Sequence, residues 1–383
     1  MGETANVVII GGGVIGTSIA YYLARKGCRD VILCEKEKFL AAGTTGLSVG
    51  GIRAQFSRET NVRLSLYSVP FFERFREEMG VDPGLHQVGY LFLLSTEEEV
   101  EMFQVNVALQ KSLGVEVELI SPGEAKEMVP QLNVEDLKGA TFGPRDGYAD
   151  PSSVTHGFAQ QARDLGVDIR LETEVTGIEV EKGKVRGVLT RHGAIAAPVV
   201  VNAAGPYAHL VGKMAGVDLP AHPYRRQVFF IESLPAIPPT TPMVIDFHKS
   251  WYFRKEGPGI VFGMSDPDEP SSFNLNVDWE FMLKVVEYAA HRVPVLAEAQ
   301  ISRSWAGLYC ITPDANPILG SIPAVEGFIC AVGFSGHGFM HSPATGLLIA
   351  ELIVDGRAST VDISPLSVER FETGEVAAER HVI

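Results

Sequence analysis

Cysteine is scarce in this chain and follows no pattern of a metal site or disulfide framework. The four cysteines, Cys28, Cys34, Cys310 and Cys330, are spread over 383 residues without a C-x-x-C pair. Such spacing argues against a metal centre and is typical of a reducing compartment. The first apolar stretch has no basic segment before it, so we expect no secretory signal and a cytoplasmic location.

Basic residues are also fewer than acidic residues. Lysine and arginine total 32 against 47 aspartates and glutamates, which gives a net charge of −15. This excess of negative charge argues against nucleic acid or an anionic membrane as the main partner. The apolar run at 7–24 contains glycines and is followed by an acidic residue, which favours a nucleotide-binding unit over a membrane span.

The chain does have enough apolar residues for two cores. Apolar types make up 46% of the sequence, beside 39 glycines and 23 prolines, and this composition is typical of globular, loop-rich proteins. A length of 383 residues exceeds what one hydrophobic core normally supports. Two domains are therefore predicted.

The first 36 residues predict a strand–helix–strand unit. Asn6–Ile10 is a short, β-branched apolar run, typical of a strand buried on both faces. Val14–Lys26 is predicted to be a helix that ends before a left-handed Gly27. Asp30–Cys34 is predicted to be the second strand.

Gly11, Gly13 and Gly16 join the first strand to the helix at G-x-G-x-x-G spacing, and Glu35 ends the second strand. In a dinucleotide site these glycines allow a tight turn, close approach of a pyrophosphate and close helix packing. The helix N-terminus attracts the phosphates. Glu35 can accept hydrogen bonds from both ribose hydroxyls, and its charge disfavours a 2′-phosphate. We predict a bound dinucleotide other than NADP; the alternative is a strand–helix turn without a ligand.

Three further helix starts are predicted from capping patterns. Ser95 with Glu98, and Ser121 with Glu124, have the spacing of a capping box. Asp150 precedes a proline, which predicts a third start.

Small residues and short strands indicate how the chain is organised. The Gly- and Thr-rich loop at 39–51 and the strand at 198–202, which runs into Ala-Ala-Gly-Pro, allow backbone to approach a flat ligand. From Pro223 onward, short strands separated by turn residues predict an antiparallel sheet. Nucleotide-type segments lie at the start, middle and end, so this sheet is predicted to be an insertion.

Five separated stretches together resemble one family. They are the opening unit at 6–36, GIR at 51–53, VVNAAG at 200–205, WAGLYCITPDANPILG at 305–320 and GFSGHGFM at 333–340. Their order and spacing resemble those of the D-amino-acid-oxidase-like flavoproteins. The chain most resembles the branch that contains sarcosine oxidase, dimethylglycine dehydrogenase, glycine oxidase and the proline dehydrogenase β-subunit.

The resemblance implies FAD as the cofactor and an α/β fold, α+β overall. A Rossmann-like FAD-binding domain is predicted at 1–85, 140–220 and 305–383. The inserted antiparallel-sheet substrate domain is predicted at 86–139 and 221–304, where it covers a substrate pocket on one flavin face.

The residues predicted to contact FAD lie in the glycine motif, at the end of the second strand and in the small-residue stretches. They are Gly11, Gly13, Val14, Ile15, Gly16, Glu35, Lys36, Thr44, Thr45, Gly46, Gly50, Gly51, Ile52, Val175, Ala203, Ala204, Gly205, Gly307, Gly333, Gly336, His337, Gly338, Phe339 and Met340.

Departures from the family pattern predict non-covalent FAD. In monomeric sarcosine oxidases a flavin-linked cysteine lies five positions before the threonine of Thr-Pro-Asp; here that position is Gly307, and Cys310 is out of register. Dimethylglycine dehydrogenases attach flavin through a histidine after the second strand, and 38–46 contains none. A bond to Cys310 is the alternative.

Two other departures concern the electron acceptor. The oxygen-activating lysine of those oxidases aligns near Val261, and their carboxylate-binding lysine is replaced by Met340. The first change favours a dehydrogenase that passes electrons to another acceptor or a partner subunit. The second keeps open a non-catalytic FAD-binding subunit or assembly factor.

Arginines are the natural partners of a substrate carboxylate. Arg53 matches an arginine on the flavin side of sarcosine oxidases, and Arg254 alternates with Tyr252 on one strand face. An edge-strand surface charge is the alternative for Arg254. His337 is predicted to position flavin or substrate, and Tyr309 and His248 are weaker candidates.

The expected reaction is FAD-dependent oxidation of a small amino acid or secondary amine, of N-methylglycine, proline or hydroxyproline type, at its carbon–nitrogen bond. Dehydrogenase is favoured, and an oxidase that forms hydrogen peroxide is the first alternative. No acid or base is predicted, because the amine needs only to be neutral, which desolvation favours.

Overall fold

The computed structural model describes residues 3–374 and 376–382. Its strands are β1 (Glu3–Thr4), β2 (Val7–Ile10), β3 (Val31–Cys34), β4 (Gly51–Ile52), β5 (Tyr90–Leu94), β6 (Glu118–Ile120), β7 (Gly139–Gly143), β8 (Gly147–Tyr148), β9 (Asp168–Arg170), β10 (Val175–Glu181), β11 (Lys184–Thr190), β12 (Gly193–Ala196), β13 (Val199–Asn202), β14 (His222–Ile231), β15 (Met243–Asp246), β16 (Trp251–Glu256), β17 (Gly259–Met264), β18 (Arg303–Ile311), β19 (Ile318–Ser321) and β20 (Phe328–Val332).

Helices connect these strands and cover the sheets. They are α1 (Val14–Arg25), α2 (Thr44–Leu47), α3 (Glu59–Glu73), α4 (Phe75–Met79), α5 (Glu97–Ser112), α6 (Pro122–Met128), α7 (Pro151–Asp164), α8 (Ala208–Met214), α9 (Trp279–Arg292), α10 (Gly338–Val354) and α11 (Arg370–Thr373), with 3-10 turns at Gly205–Tyr207, Pro294–Glu298 and Ser364–Leu366.

A six-stranded sheet in the order β19-β20-β13-β2-β3-β9 holds the opening unit. Its strands are parallel except β19, which pairs antiparallel with β20. One face packs on α1, α3, α7 and α10, and the other packs on α8 and the small sheet formed by β1 and β10–β12. Burial on both faces explains why β2 and β3 are continuous apolar runs.

The second large sheet has eight strands in the order β18-β14-β17-β16-β15-β5-β7-β6. Its pairs are antiparallel except β15 with β5. One face packs on α6 and α9, while the other carries Tyr90, Met243 and Tyr252. The predicted α/β class, with a parallel sheet and an inserted, mainly antiparallel sheet, is confirmed.

The predicted domain boundaries at 140 and 305 fall inside strands of the eight-stranded sheet. β7 begins at Gly139 and β18 extends from Arg303 to Ile311. Both strands therefore pair with the sheet of the insertion, although most of each was assigned to the FAD-binding segments. The division into domains stays a prediction, because hydrogen-bonded pairing alone does not define a folding unit.

The capping box of α5 lies one residue later than predicted. The Thr96 side chain, not that of Ser95, accepts the N–H of Glu99 at 3.1 Å, and the Glu99 carboxylate accepts the N–H of Thr96 at 3.2 Å. Ser95-x-x-Glu98 and Thr96-x-x-Glu99 both fit the capping pattern, so local sequence did not distinguish them. The capping box at Ser121 is confirmed.

Gly16→Ala should destabilise the fold. A Cβ atom at position 16 would lie 1.9 Å from the carbonyl oxygen of Gly11, so the turn between β2 and α1 would have to open. We expect the free energy of unfolding to fall by at least about 2 kcal/mol in urea denaturation.

Gly123→Ala is the matched control. Its Cβ atom would lie 3.8 Å from Ser121 Oγ, an ordinary contact, and alanine is a better helix former than glycine at this second residue of α6. Equal losses at positions 16 and 123 would show that packing against Gly11 is not the cause.

Candidate functional site

A cleft of about 420 Å³ lies between the two large sheets. It begins at the turn between β2 and α1, passes α2 and the end of β13, and reaches the N-terminus of α10 and the face of the eight-stranded sheet. Segments from the start, middle and end of the chain therefore meet along one cleft.

Most of the predicted site residues line this cleft. Those that do so are Gly11, Gly13, Val14, Ile15, Glu35, Lys36, Thr44, Thr45, Gly50, Gly51, Arg53, Val175, Ala203, Ala204, Gly205, Tyr252, Gly333, Gly336, His337, Gly338, Phe339 and Met340.

Four residues predicted to contact FAD do not line the cleft and instead pack behind it. Gly16 approaches the Gly11 carbonyl, and a Cβ at Gly46 would lie 2.5 Å from the Ala41 carbonyl oxygen. Gly307 packs against α2, and Ile52 is 1% exposed in the core beneath the cleft. They shape the lining segments through close packing.

The N-terminus of α1 faces the cleft without a side-chain cap from its own N-cap residue. Its N-cap residue is Gly13, which has no side chain that could accept an N–H. The N–H of Val14 donates to Thr45 Oγ1 at 3.2 Å. The small residues around this turn leave the positive end of the helix open to an anionic ligand.

Glu35 lies beside this turn, at the end of β3. Its carboxylate accepts the N–H of Gly12 at 2.6 Å and the N–H of Glu37 at 2.8 Å. These main-chain donors hold the carboxylate at the cleft, where it can accept ribose hydroxyls.

His337 lies at the other end of the cleft, at the N-cap position of α10. It is 2% exposed, and neither ring nitrogen has a hydrogen-bond partner among the described residues. Burial, with a further contribution from Arg53, lowers the pKa of His337 to about 3. The imidazole is therefore neutral near pH 7, and α10, like α1, presents an uncapped N-terminus to the cleft.

Arg53 lines the cleft near His337, and main-chain carbonyls bind its guanidinium group. Its two terminal nitrogens donate to the carbonyls of Gln55 and His381. The guanidinium carbon lies 3.9 Å from the centre of the Phe56 ring. The positive charge therefore lies beside the cleft, in an orientation set by backbone oxygens.

The C-terminal segment supports this end of the cleft, which no sequence motif indicated. His381 stacks on Phe103 at 4.1 Å, and Glu379 accepts the N–H of Ser57 at 2.8 Å. Burial opposes ionisation of Glu379, but His381 and hydrogen bonds from Ser57 and Asn61 outweigh it and lower the pKa of Glu379 to about 2.

Tyrosines form the wall that the eight-stranded sheet contributes. Tyr90, Tyr252 and Tyr309 line the cleft, and burial raises the pKa of each phenol. A Cβ at Gly336 would lie 2.7 Å from the Tyr309 ring, so this tyrosine packs on the turn before α10. The sequence did not identify Tyr90, because the rest of β5 is apolar and carries no site motif. Tyr309 is one of the weaker candidates from the sequence.

Arg254 does not line the cleft. It shares the sheet face of Tyr252 as predicted, but its Nε donates to the Val49 carbonyl and Nη1 to the Lys255 carbonyl, both at 2.6 Å. It also forms an ion pair with Glu256 at 2.6 Å. Its Nε and Nη1 are therefore bound by protein groups.

The profile of the family described as "DAO: FAD dependent oxidoreductase" matches residues 6–352. The chain belongs to this family. The predicted resemblance and cofactor are confirmed: it is an FAD-dependent oxidoreductase domain of the DAO family.

Relatives of this DAO-family chain include several named dehydrogenases. FAD-dependent oxidoreductase domain-containing protein 1 of Xenopus laevis is 34% identical, with 100% of this chain and 85% of the relative covered. Mitochondrial sarcosine dehydrogenase of Homo sapiens is 33% identical over 96% of this chain, which spans 42% of that relative. The solved L-proline dehydrogenase from P. horikoshii has a TM-score of 0.92 and 38% identity, covering 98% of this chain and 100% of that one.

The cleft of this DAO-family chain fits FAD. The uncapped N-terminus of α1 suits the pyrophosphate and Glu35 suits the adenosine ribose. At the other end, the unpartnered nitrogens of His337 and the N-terminus of α10 can meet the polar edge of the flavin.

The described part of the DAO-family chain contains neither a membrane-spanning helix nor a cluster of metal ligands. Within 3–374 and 376–382, no helix combines the length and apolar character needed to cross a membrane. The same residues contain no group of three or more His, Cys, Asp or Glu side chains placed to hold a metal ion.

Acid should destabilise the fold through three buried histidines. Burial lowers the pKa of His337, His341 and His381 below the ordinary value of 6.5. A histidine with a lowered folded-state pKa contributes stability above pH 6.5 that is lost as pH falls, because the unfolded chain binds the proton. We expect the free energy of unfolding to fall by up to about 1.4 kcal/mol per pH unit for each histidine below pH 6.5.

Urea denaturation at about pH 7.5 and about pH 5.5 measures this change, within the window that those pKa shifts define. His381→Asn should reduce the dependence on pH, whereas His156→Asn, on the exposed side of α7, should not. Equal stability of the unmodified protein at both pH values would contradict the assignment.

Proposed function

We propose that this protein is a dehydrogenase that oxidises a small amino acid or secondary amine, of N-methylglycine, proline or hydroxyproline type, at its carbon–nitrogen bond. The observation that carries the proposal is a DAO-family cleft whose end at α10 is walled by Tyr252 and Tyr309 and flanked by Arg53. Relatives named sarcosine dehydrogenase and L-proline dehydrogenase support this substrate class.

The residues of the pocket position the substrate for hydrogen transfer. Bound FAD supplies an acceptor for the two electrons and the hydrogen that leave the carbon. Met243 and Met340 make part of the pocket apolar, which favours the neutral form of the amine. A neutral His337 is too weak a base to remove a proton from an ammonium group but can hydrogen-bond to a bound ligand. The substrate becomes an iminium ion, which releases its nitrogen proton to solvent to give an imine, and the imine hydrolyses or stays cyclic.

The positions of the lysines bear on which electron acceptor the enzyme uses. Val261, at the position predicted for an oxygen-activating lysine, is a 3% exposed residue of β17. Among the described residues Lys36 is the one lysine that lines the cleft, and it lies 4.5 Å from the centre of the Tyr207 ring, at the end near Glu35. The absence of a lysine near His337 favours a separate acceptor or partner subunit over oxygen. A cytoplasmic location stays a prediction.

Anaerobic addition of sarcosine, L-proline or hydroxyproline to the holoenzyme should bleach the flavin absorbance near about 450 nm, a wavelength typical of bound oxidised flavin. Reoxidation should be fast with an artificial dye acceptor and slow with air. The measurement is stopped-flow or steady-state absorbance spectroscopy.

An oxidase and a non-catalytic FAD-binding subunit would give different results in this experiment. Rapid reoxidation by air with stoichiometric hydrogen peroxide would replace the dehydrogenase by an oxidase. If neither these nor other small amines bleach a fully loaded flavin, the enzymatic proposal fails, and a non-catalytic FAD-binding subunit or assembly factor becomes the better explanation.

FAD should be bound non-covalently. Cys310 lines the cleft, but burial raises the pKa of its thiol to about 12, so the nucleophilic thiolate is suppressed. Acid precipitation should release all yellow colour into the supernatant, from the native protein and from Cys310→Ser alike. Flavin that stays with the precipitated native protein, but not with Cys310→Ser, would identify a covalent bond.

A further inference from the structure

The loop between β17 and α9, residues 265–278, reaches from the eight-stranded sheet to the cleft, and we call it the strap. Its Leu275 side chain lines the cleft. Phe273, two residues earlier, stacks on the ring of Tyr207, with ring centres 4.9 Å apart and planes inclined by 18°. Tyr207 ends the 3-10 turn that follows β13 and also lines the cleft. The strap therefore joins the eight-stranded sheet to an element that follows the six-stranded sheet.

The strap meets the cleft at the end where Glu35 lies. Lys36, the next residue, has its Nζ 4.5 Å from the centre of the same Tyr207 ring on which Phe273 stacks. Because Glu35 is placed to accept the hydroxyls of the adenosine ribose, this is the adenosine end of the FAD cleft. The strap is thus at the opposite end from His337 and α10, where the flavin ring is expected.

Two leucines expose apolar surface at this end of the cleft. Leu275 of the strap is 50% exposed and Leu210 of α8 is 38% exposed, although both line the cleft. Apolar surface at the mouth of a cleft is stabilised when a ligand removes it from water. The adenine ring is a flat and largely apolar part of FAD, so it is suited to cover these side chains.

Arg225 of β14 anchors the strap at two points. Its Nη2 donates to the Glu269 carboxylate at 2.9 Å, and its Nη1 donates to the Asn276 carbonyl at 2.6 Å. The side chains of Arg225 and Glu269 are 9% and 3% exposed, and breaking such a buried ion pair is unfavourable. Between these points the N–H of Ser272 donates to the Pro223 carbonyl at 3.1 Å.

The stretch at 273–275 is held differently. Among the described residues, no backbone–backbone hydrogen bond joins it to the rest of the chain. Its position depends on the Phe273 stack and on the contacts of Leu275 at the cleft. This stretch can therefore move away from the cleft without breaking the eight-stranded sheet or the ion pair of Arg225.

We propose that the strap closes over the adenosine end of bound FAD and slows its release, with Leu275 and Phe273 as the residues responsible. Leu275 covers the ligand, and the stack of Phe273 on Tyr207 keeps the strap closed. The inference concerns retention of the cofactor and holds whichever substrate the enzyme oxidises.

The rate of FAD exchange tests the proposal without turnover. Holoenzyme that carries radiolabelled FAD is mixed with an excess of unlabelled FAD, and the label that remains bound is followed by rapid filtration. Leu275→Ala and Phe273→Ala should each release FAD about 10-fold faster or more, because each loses apolar contacts of the closed strap. Leu275→Met, which keeps the apolar volume, should release FAD at nearly the native rate.

Leu283→Ala is the matched control, because Leu283 of α9 is 65% exposed and is not part of the cleft lining. It should release FAD at the native rate. The visible absorbance spectrum of bound flavin should be unchanged in every variant, since the strap lies at the adenosine end. If Phe273→Ala cannot be isolated with FAD, Phe273→Leu keeps an apolar side chain without the aromatic stack and should still release FAD faster than the native protein.

Three results would overturn the proposal. The first is a native release rate in folded, FAD-loaded Leu275→Ala and in the Phe273 variant. The second is an equal acceleration in Leu283→Ala, which would indicate a general loosening of the protein. The third is a changed flavin spectrum in the variants that release FAD faster, which would place the effect at the α10 end of the cleft.

Discussion

The contact between Gly16 and the carbonyl of Gly11 is the constraint on which the cleft depends. Because Gly16 has no Cβ atom, α1 begins directly against the end of β2, and its N-terminus faces the space at the edge of the sheet. Glu35 then accepts the N–H of Gly12 and is held beside the same turn. The pyrophosphate and the ribose of FAD can therefore be bound by groups that one short turn positions.

Arg53 places a positive charge at the opposite end of the cleft, where main-chain carbonyls accept its terminal N–H groups and Glu379 lies nearby. This charge raises the positive potential at the Tyr309 hydroxyl. His337 stays neutral in this environment, since burial and Arg53 both oppose its protonation. A buried cation is costly without opposite charge or strong hydrogen bonds, and the carbonyls of Gln55 and His381 supply such bonds to Arg53.

Local patterns predicted the elements of the fold better than their registers. The opening unit was predicted correctly because its turn glycines, its apolar strands and the helix stop at Gly27 lie within 36 residues and depend on one another. The capping box was placed one residue early because Thr96-x-x-Glu99 fits the same pattern as the segment before it. The predicted boundary at 305 lies inside β18, whose pairing with β14 is a contact between distant segments that local spacing does not indicate.

By itself the sequence determined the dinucleotide turn, the acidic residue beside it, the family and hence FAD, because each depends on residue types at fixed local spacing. Only the tertiary structure decided which of the predicted arginines lines the cleft. Arg53 does so, whereas Arg254, on the sheet face of Tyr252, is held by the carbonyl of Val49, a residue far away in the chain. Strand alternation predicts the face of a side chain, whereas its partners come from long-range packing that local spacing does not encode.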